Sequence, residues 1–454
     1  MRVSVILENA DTGRFSNLKL CYNDNGTIKN VSLSFLQYEK VYDFTNDFNS
    51  VKFDFFLVSS IVYGIDNLLS RAIYSNDGWT RDIEVEFPVN NLATWIGKED
   101  KLKQILDFLT GDNWQVSFRA AERINFYQPR TNRRRSKIPH YDKTSIRSAS
   151  LFSGGLDSLI GVIDELDKLN VNERILLVSH FDSKSPGPNG DQLRLLNHLH
   201  LTYPNKIYWV QSKLALSRKD TSGNRISIET NYRSRSLFFI GLGCYLSPLD
   251  NLIIPENGTI SINYPLTPSR VSSLSTRTTH PYVLKNIQEL LILLGLPTII
   301  HNPYTLKTKG EMFEECTNQP LVRRIYTDSV SCGKRGRRQF HFDNPSEIHN
   351  CGRCMPCIYR RAALNKANLD NENHYGNFIT KVSSLGDNDL PALFSYLKRT
   401  ITIEQMKRDL LVNGNIDINN LTIYADMVLR SKEEVLQLFR DKGNRFVKSQ
   451  LGIR

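Results

Sequence analysis

Residues 151–158 read Leu151-Phe152-Ser153-Gly154-Gly155-Leu156-Asp157-Ser158, and the fold is decided there. The apolar run of Ala149, Leu151 and Phe152 reads as a strand. After the turn, Leu159, Ile160, Val162, Ile163 and Leu166 repeat at helical spacing. A strand, a glycine turn and a helix in that order build a cradle for an anion. Glycine lets the backbone approach a ligand closely, and the first helical turn offers unpaired N–H groups with a partial positive charge. Ser153 and Ser158 add hydroxyls. The Gly-Lys-Ser/Thr ending of a Walker-type loop is missing, which argues against a loop built for γ-phosphoryl transfer.

Downstream, apolar strands at Ile175–Ser179, Ile207–Val210 and Leu252–Pro255 alternate with helical stretches, the pattern of an α/β, doubly wound parallel sheet. Ligands bind beyond the strand ends of such sheets. Three segments fall there: Ser153–Ser158, His180-Phe181-Asp182-Ser183 and Glu256-Asn257-Gly258. Residues 1–128 read as a small α+β domain. It has strands around Val3, at Asp82–Phe87 and around Val116, a helix through Ile61, Ile65, Leu68, Leu69 and Ile73, and another at Glu99–Leu109 that Gly111 stops. A basic linker spans 129–146, the domain opened by the glycine turn spans 147–365, and a helical region spans 366–454. Ser431-Lys432-Glu433-Glu434 reads as a capping box that opens a helix in that last region.

The 454 residues carry a net charge of +11, 40% hydrophobic and 23% charged residues, an ordinary globular balance. The densest apolar stretch, Leu290–Ile300, is cut by Gly295 and Pro297 and reads as a buried helix end. With no membrane span and no signal peptide at Met1-Arg2-Val3-Ser4, a cytoplasmic chain with no membrane partner is expected. The charge admits nucleic acid, but acidic small molecules also need basic pockets. The run Arg133-Arg134-Arg135 lacks the interleaved aromatics that stack bases, so it reads as a solvated linker before an RNA patch, and direct nucleic-acid binding stays open.

Of seven cysteines, Cys351, Cys354 and Cys357 are spaced two residues apart, with Cys332 upstream. In a cytosolic chain such a cluster favours metal over disulfide, and four thiolates close a tetrahedral structural zinc site. A partly cysteine-ligated iron–sulfur cluster and redox thiols are the other readings. His341 and His349 lie between the ligands and read as bystanders.

The Ser-Gly-Gly-x-Asp-Ser pattern of 153–158 resembles the PP-loop ATP pyrophosphatase superfamily, whose members cleave ATP between its α and β phosphates. The resemblance places ATP on Ser153, Gly154, Gly155, Leu156, Asp157 and Ser158. It ties Asp157 to Mg2+ or to loop geometry. With Ser331-Cys332 and Cys351-Gly352-Arg353-Cys354-Met355-Pro356-Cys357-Ile358-Tyr359-Arg360, Lys307-Thr308-Lys309 and Arg233-Ser234-Arg235-Ser236, the chain looks like the QueC family of 7-cyano-7-deazaguanine synthases over about 147–365. It departs from that family in about 140 extra residues before this part, in some 90 after it, and at His180–Gly187 and Pro255–Arg270. These features are most similar to the QatC group of QueC-like proteins in the Qat anti-phage defence system.

The resemblance implies an AMP- and pyrophosphate-forming ligase. The enzyme would adenylate 7-carboxy-7-deazaguanine or a similar acid and pass it to an amine. Ser153, Asp157, Ser158, Lys309 and Arg235 would serve catalysis. Arg233, Arg235, Lys307 and Lys309 would clamp phosphate or carboxylate, and Glu256 and Asn257 would read the guanine edge. The large flanking regions suggest that the amine belongs to another protein of the same defence operon. A plain nitrile-forming synthase, a tRNA thiolase and a non-enzymatic nucleotide sensor are the rival readings.

Overall fold

The computed structural model describes residues 1–122, 124–132, 139–182, 187–230, 233–266, 277–335, 339, 341–347, 349–384, 389–414 and 416–453. The expected linker run 133–137, the loop segment 183–186 and the segment 267–270 lie outside the described residues.

The strands are β1 (Arg2–Glu8), β2 (Asn17–Asp24), β3 (Thr27–Leu36), β4 (Asp82–Val89), β5 (Asn113–Ala120), β6 (Ile146–Leu151), β7 (Arg174–Asp182), β8 (Ile207–Leu216), β9 (Asn251–Ile253) and β10 (Ile299–His301). They form one sheet in the order β10-β9-β6-β7-β8-β3-β2-β1-β4-β5. The run β8-β7-β6-β9-β10 is parallel throughout. From β6 the chain steps outward to β7 and β8, then returns past β6 to β9 and β10. The direction of winding therefore reverses between β6 and β9, and a crevice opens at such a reversal beyond the carboxyl ends of the strands. The glycine turn leaves β6 and Glu256-Asn257 follows β9, so the two segments flank that crevice.

Side chains alternate across the faces of β7, and both faces are covered. Ile175 and Leu177 pack with Leu159, Ile160 and Ile163 of helix Leu156–Asp167 and with Leu195 and Leu199 of helix Gly187–Thr202. Leu176 and Val178 join the opposite cluster, with Phe238 and Leu242 of helix Arg235–Leu246 and Ile287 and Leu290 of helix Pro281–Leu293. Strands buried on both sides need near-continuous apolar sequence, which Ile175-Leu176-Leu177-Val178 supplies.

The N-terminal strands extend this sheet. β3 pairs antiparallel with β8, from Leu33 opposite Leu216 to Leu36 opposite Lys213. β1, β2 and β3 form an antiparallel run, while β1, β4 and β5 are parallel neighbours. β4 has the expected period of two, burying Ile83, Val85 and Phe87 and exposing Asp82, Glu84 and Glu86. Helix Glu99–Thr110 ends at Gly111 with φ 74, where sequence places its stop. The helix expected from Ile61 through Ile73 begins ten residues earlier, at Val51, where the Ser50 side chain caps it by accepting from the Phe53 N–H. It stops at Leu68: Leu69 and Ser70 are extended, and Ile73 falls in a separate short helix, Arg71–Tyr74.

The helical C-terminal region, Leu390–Lys398, Ile403–Asn413, Leu421–Lys442 and Arg445–Leu451, packs its own cluster against Ile358, Tyr359 and Ala362 of helix Met355–Lys366. Here one expectation fails. Ser431 does not cap a helix but lies inside the 22-residue helix Leu421–Lys442, where its hydroxyl meets Thr259 at 2.9 Å. Capping boxes form instead at Thr308 with Glu311 and at Thr402 with Gln405. Among the described residues no helix is long and apolar enough to cross a membrane.

Candidate functional site

The turn after β6 is shaped by Gly154, whose φ of +86 lies in the left-handed region; an added Cβ would also press on Gln192 at 3.3 Å. Gly155 is the N-cap of helix Leu156–Asp167 and has no side chain of its own to cap it. Serine hydroxyls stand in. Ser153 Oγ accepts from the Gly155 N–H at 3.2 Å and lies 3.1 Å from Ser158 Oγ, and Ser158 donates to the Gly155 carbonyl at 3.0 Å. The turn is held from behind by Gln192, whose amide nitrogen donates to the Ser153 and His180 carbonyls, each at 3.2 Å. Gln211 steadies Gln192 in turn, at 2.7 Å. Neither glutamine has a local sequence signal, since both reach the turn from other elements.

Asp157 faces away from solvent, 6% exposed. One oxygen is ion-paired with Lys309 Nζ, and the other accepts from Asn257 Nδ2 at 2.5 Å. Burial alone would raise this carboxyl. The Lys309 ammonium and hydrogen bonds from Glu256 and Asn257 more than offset burial and hold it below the usual carboxylate range. Burial, then the charge of Asp157, push Glu256 well above its ordinary range, so Glu256 keeps a proton and donates it toward Asp157. Asn257 is fully buried, caps helix Gly258–Ile262 by accepting from Ile260 N–H, and spends its amide nitrogen on Asp157. The four residues thus make one cluster, with Asp157, Asn257 and Lys309 buried and Glu256 half-buried beside them.

Lys309 is placed there by the Thr308–Glu311 capping box, and that box is locked by the C-terminal region: Glu434 accepts from Thr308 Oγ1 at 2.5 Å and from the Gly310 N–H at 3.3 Å. Lys307, by contrast, pairs with Glu315 at the surface. Arg233 is 1% exposed and stacks over the Trp79 ring at 4.6 Å, a ring that Arg71 also covers at 4.4 Å. Burial and the neighbouring Arg71 and Arg277 lower its guanidinium to about 10. It belongs to a buried network that joins the N-terminal strands to helix Arg235–Leu246. Arg235 stands exposed at the first position of that helix, and its charge adds to burial in pushing the enclosed His180 well below the usual imidazole range.

The cysteine cluster lies beside the turn. Cys332, Cys351, Cys354 and Cys357 carry free thiols whose sulfurs lie within 4.8 Å of one another, with 3.9 Å between Cys332 and Cys354 and 4.0 Å between Cys351 and Cys357. A tetrahedron with metal–sulfur bonds of about 2.3 Å has edges of about 3.8 Å, so the spacing fits a metal and is far too long for a disulfide. Backbone N–H groups of Lys334 and Cys351 point at Cys332 Sγ, each at 3.3 Å, and that of Cys354 at Cys351 Sγ at 3.4 Å, as thiolates require. Gly352, with φ 85, lets the chain wrap the centre where a Cβ would strike the Asn377 carbonyl. These four residues could hold a metal ion. His341 and His349 are turned to Glu347 and stay outside the cluster.

Compared with protein-family models, with curated proteins and with solved structures, the chain matches none.

Proposed function

We propose that this chain is an ATP-dependent ligase of the PP-loop, QueC-like kind, resembling QatC. It would activate 7-carboxy-7-deazaguanine or a similar carboxylated base and transfer it to an amine, in anti-phage defence. The observation that carries this reading is the glycine turn at the winding reversal, with helical amides and the Ser153 and Ser158 hydroxyls gathered at one point. That arrangement suits the terminal pyrophosphate of ATP.

In the first step a carboxylate oxygen of the acid bonds to the α-phosphorus while the bond to the β-phosphate oxygen breaks. Pyrophosphate leaves with the electron pair, and the turn's amides and hydroxyls stabilise the charge it gains. In the second step the amine nitrogen bonds to the acyl carbon, AMP leaves, and an amide results after the nitrogen loses a proton. Arg235, exposed at its helix start, suits the α-phosphate or the carboxylate. Asp157, Lys309, Glu256 and Asn257 act in this reading as the fixed wall of the turn rather than as base readers. Both Asp157 oxygens are engaged by Lys309 and Asn257, which does not suit a direct Mg2+ ligand, so Mg2+ would be carried by the ATP phosphates.

Zn2+ suits the four thiolates as a closed structural centre. All four clustered thiols serve that centre, which leaves none of the four to hand on sulfur, and Cys244 and Cys316 are buried elsewhere, which disfavours the thiolase reading. The acceptor amine is assigned to a protein of the same defence operon. The test incubates the protein with ATP, 7-carboxy-7-deazaguanine and that protein. Expected are AMP and pyrophosphate in equal amounts and a partner heavier by one acyl group. Ser153→Ala, at an exposed position, should slow pyrophosphate release while the fold is kept. No AMP from wild-type protein with acid and amine present would sink the proposal.

A further inference from the structure

The segment Val330–Arg335 forms a further wall of the glycine turn. Val330 N–H donates to the Gly154 carbonyl at 3.0 Å, and Leu156 N–H, in the first turn of its helix, donates to Ser331 Oγ at 3.3 Å. That N–H is one of the groups an anion at this helix start would meet. Two residues on from Cys332, Lys334 N–H is held by the Cys332 sulfur, and Arg335 reaches back to Asp191. Asp191 lies against the turn: a Cβ on Gly154 would sit 3.4 Å from the Asp191 Cβ.

The charge balance here points to a ligand. Arg335 Nη2 and Arg194 Nη2 share one Asp191 oxygen, at 2.5 and 2.6 Å, so two guanidiniums face one carboxylate that is 3% exposed. Arg194 also approaches Asp328 at 3.7 Å, but Arg335 has no second carboxylate among the described residues, and its buried Nε finds no hydrogen-bond partner there. A guanidinium with donors to spare beside an anion cradle suits phosphate oxygens, which it can grip in pairs.

We infer that Ser331 and Arg335 are ligands of the anion bound at 153–158, and that the cysteine centre holds them in place. This rests on the phosphate reading of the turn. The Ser331 hydroxyl accepts from Leu156 N–H and so keeps its own proton free for a phosphate oxygen. The centre fixes the segment on one side through Cys332. Arg360, on helix Met355–Lys366, which also carries Cys357, fixes it on the other by donating to Ser329 Oγ at 2.8 Å and to the Tyr326 carbonyl at 2.7 Å.

The test titrates the metal-loaded full chain with pyrophosphate and with ATP in a calorimeter. Arg335→Ala should weaken pyrophosphate binding at least about 10-fold, Arg335→Lys less, and Ser331→Ala about 3-fold or more. Arg440→Ala, a surface control paired with Glu433, should bind as wild type. Stripping the metal with a chelator should weaken pyrophosphate binding while far-ultraviolet circular dichroism stays near that of the loaded protein. Should Arg335→Ala prove unstable, Ser331→Ala and Arg335→Lys decide alone. Wild-type affinity in these variants overturns the inference and leaves the turn's phosphate role standing. Failure of the wild-type chain to bind either compound overturns the nucleotide reading itself.

Discussion

Lys309 and Asp157 illustrate how a buried charge is kept. Lys309 is 4% exposed and Asp157 6%, so each is expensive to desolvate, and each is stabilised by the other. Breaking such a pair from one side leaves an uncompensated charge and costs about 3–5 kcal/mol, whereas replacing both partners removes that penalty. Lys309→Met alone should therefore destabilise strongly in urea denaturation, and Asp157→Asn with Lys309→Met should recover most of the loss. Equal losses in the two proteins would mean that the pair carries no buried charge. Glu256 adds a pH signature. Its raised carboxyl keeps a proton in the fold where the unfolded chain has lost it, so folding stability falls as pH climbs above about 4.3, by up to about 1.4 kcal/mol per unit. Glu256→Gln removes that slope, and its advantage over wild type should widen with rising pH until the folded-state value is passed. Melting curves of the two proteins that stay parallel from about pH 5 to about pH 8 would show Glu256 to be ionised instead.

At the scale of elements, what sequence reveals depends on how local its cause is. The turn at 153–158, the parallel run β6–β9 and the cysteine knot are each written in consecutive residues, and all are found where sequence places them. β2, β3 and β10 carry weaker patterns and emerge only through their neighbours: β10, with Ile299 exposed and His301 exposed, is an edge strand without an apolar run. Asp157's company was hidden for the same reason, since Asn257 and Lys309 are 100 and 152 residues away along the chain. Ser431 failed differently. Ser-x-x-Glu is a true cap pattern, but Tyr424, Met427 and Val428 before it already carry helical periodicity, so the helix runs through. Glycine at an N-cap costs only a few tenths of a kcal/mol, but about 1 kcal/mol inside a helix. Ser431→Gly should thus lower stability by about 1 kcal/mol, beyond what an N-cap glycine costs. A loss of only a few tenths in thermal melts would restore the cap.

For the whole molecule, the decisive question is whether the N-terminal strands and the turn-bearing sheet stand or fall together. Beyond the β3–β8 pairing, a buried ionic network joins them. Asp66 and Asp112, both on the N-terminal side, bind Arg81, with Asp66 Oδ1 at 2.6 Å, and Asp112 also binds Arg71 at 2.7 Å. The other Asp66 oxygen accepts from the N–H groups of Arg233 and Ser234, at 2.7 and 2.9 Å, just where helix Arg235–Leu246 begins. Burial works against this carboxylate, but Arg81 and Ser234 outweigh it and hold Asp66 below the ordinary range, so its contribution persists above the unfolded value of about 3.9 and is lost as pH falls through the depressed one. Phe53 and Phe56 of helix Val51–Leu68 pack on Tyr245 of the second helix, with ring centroids at 5.6 and 5.1 Å. Cutting between the halves would expose that apolar seam together with the orphaned charges. The chain should consequently unfold in one transition. Trp209 is the one tryptophan beyond residue 128, so in a Trp209→Phe protein the emission of Trp79, Trp95 and Trp114 reports the N-terminal half alone while far-ultraviolet circular dichroism reports all of it. The two signals should lose their folded values at the same denaturant concentration, and Asp66→Ala should move both midpoints down together by an amount matching about 3–5 kcal/mol. Emission that changes ahead of or behind the circular dichroism would mean that the N-terminal strands fold on their own, with the Asp66 network only bridging two independent bodies.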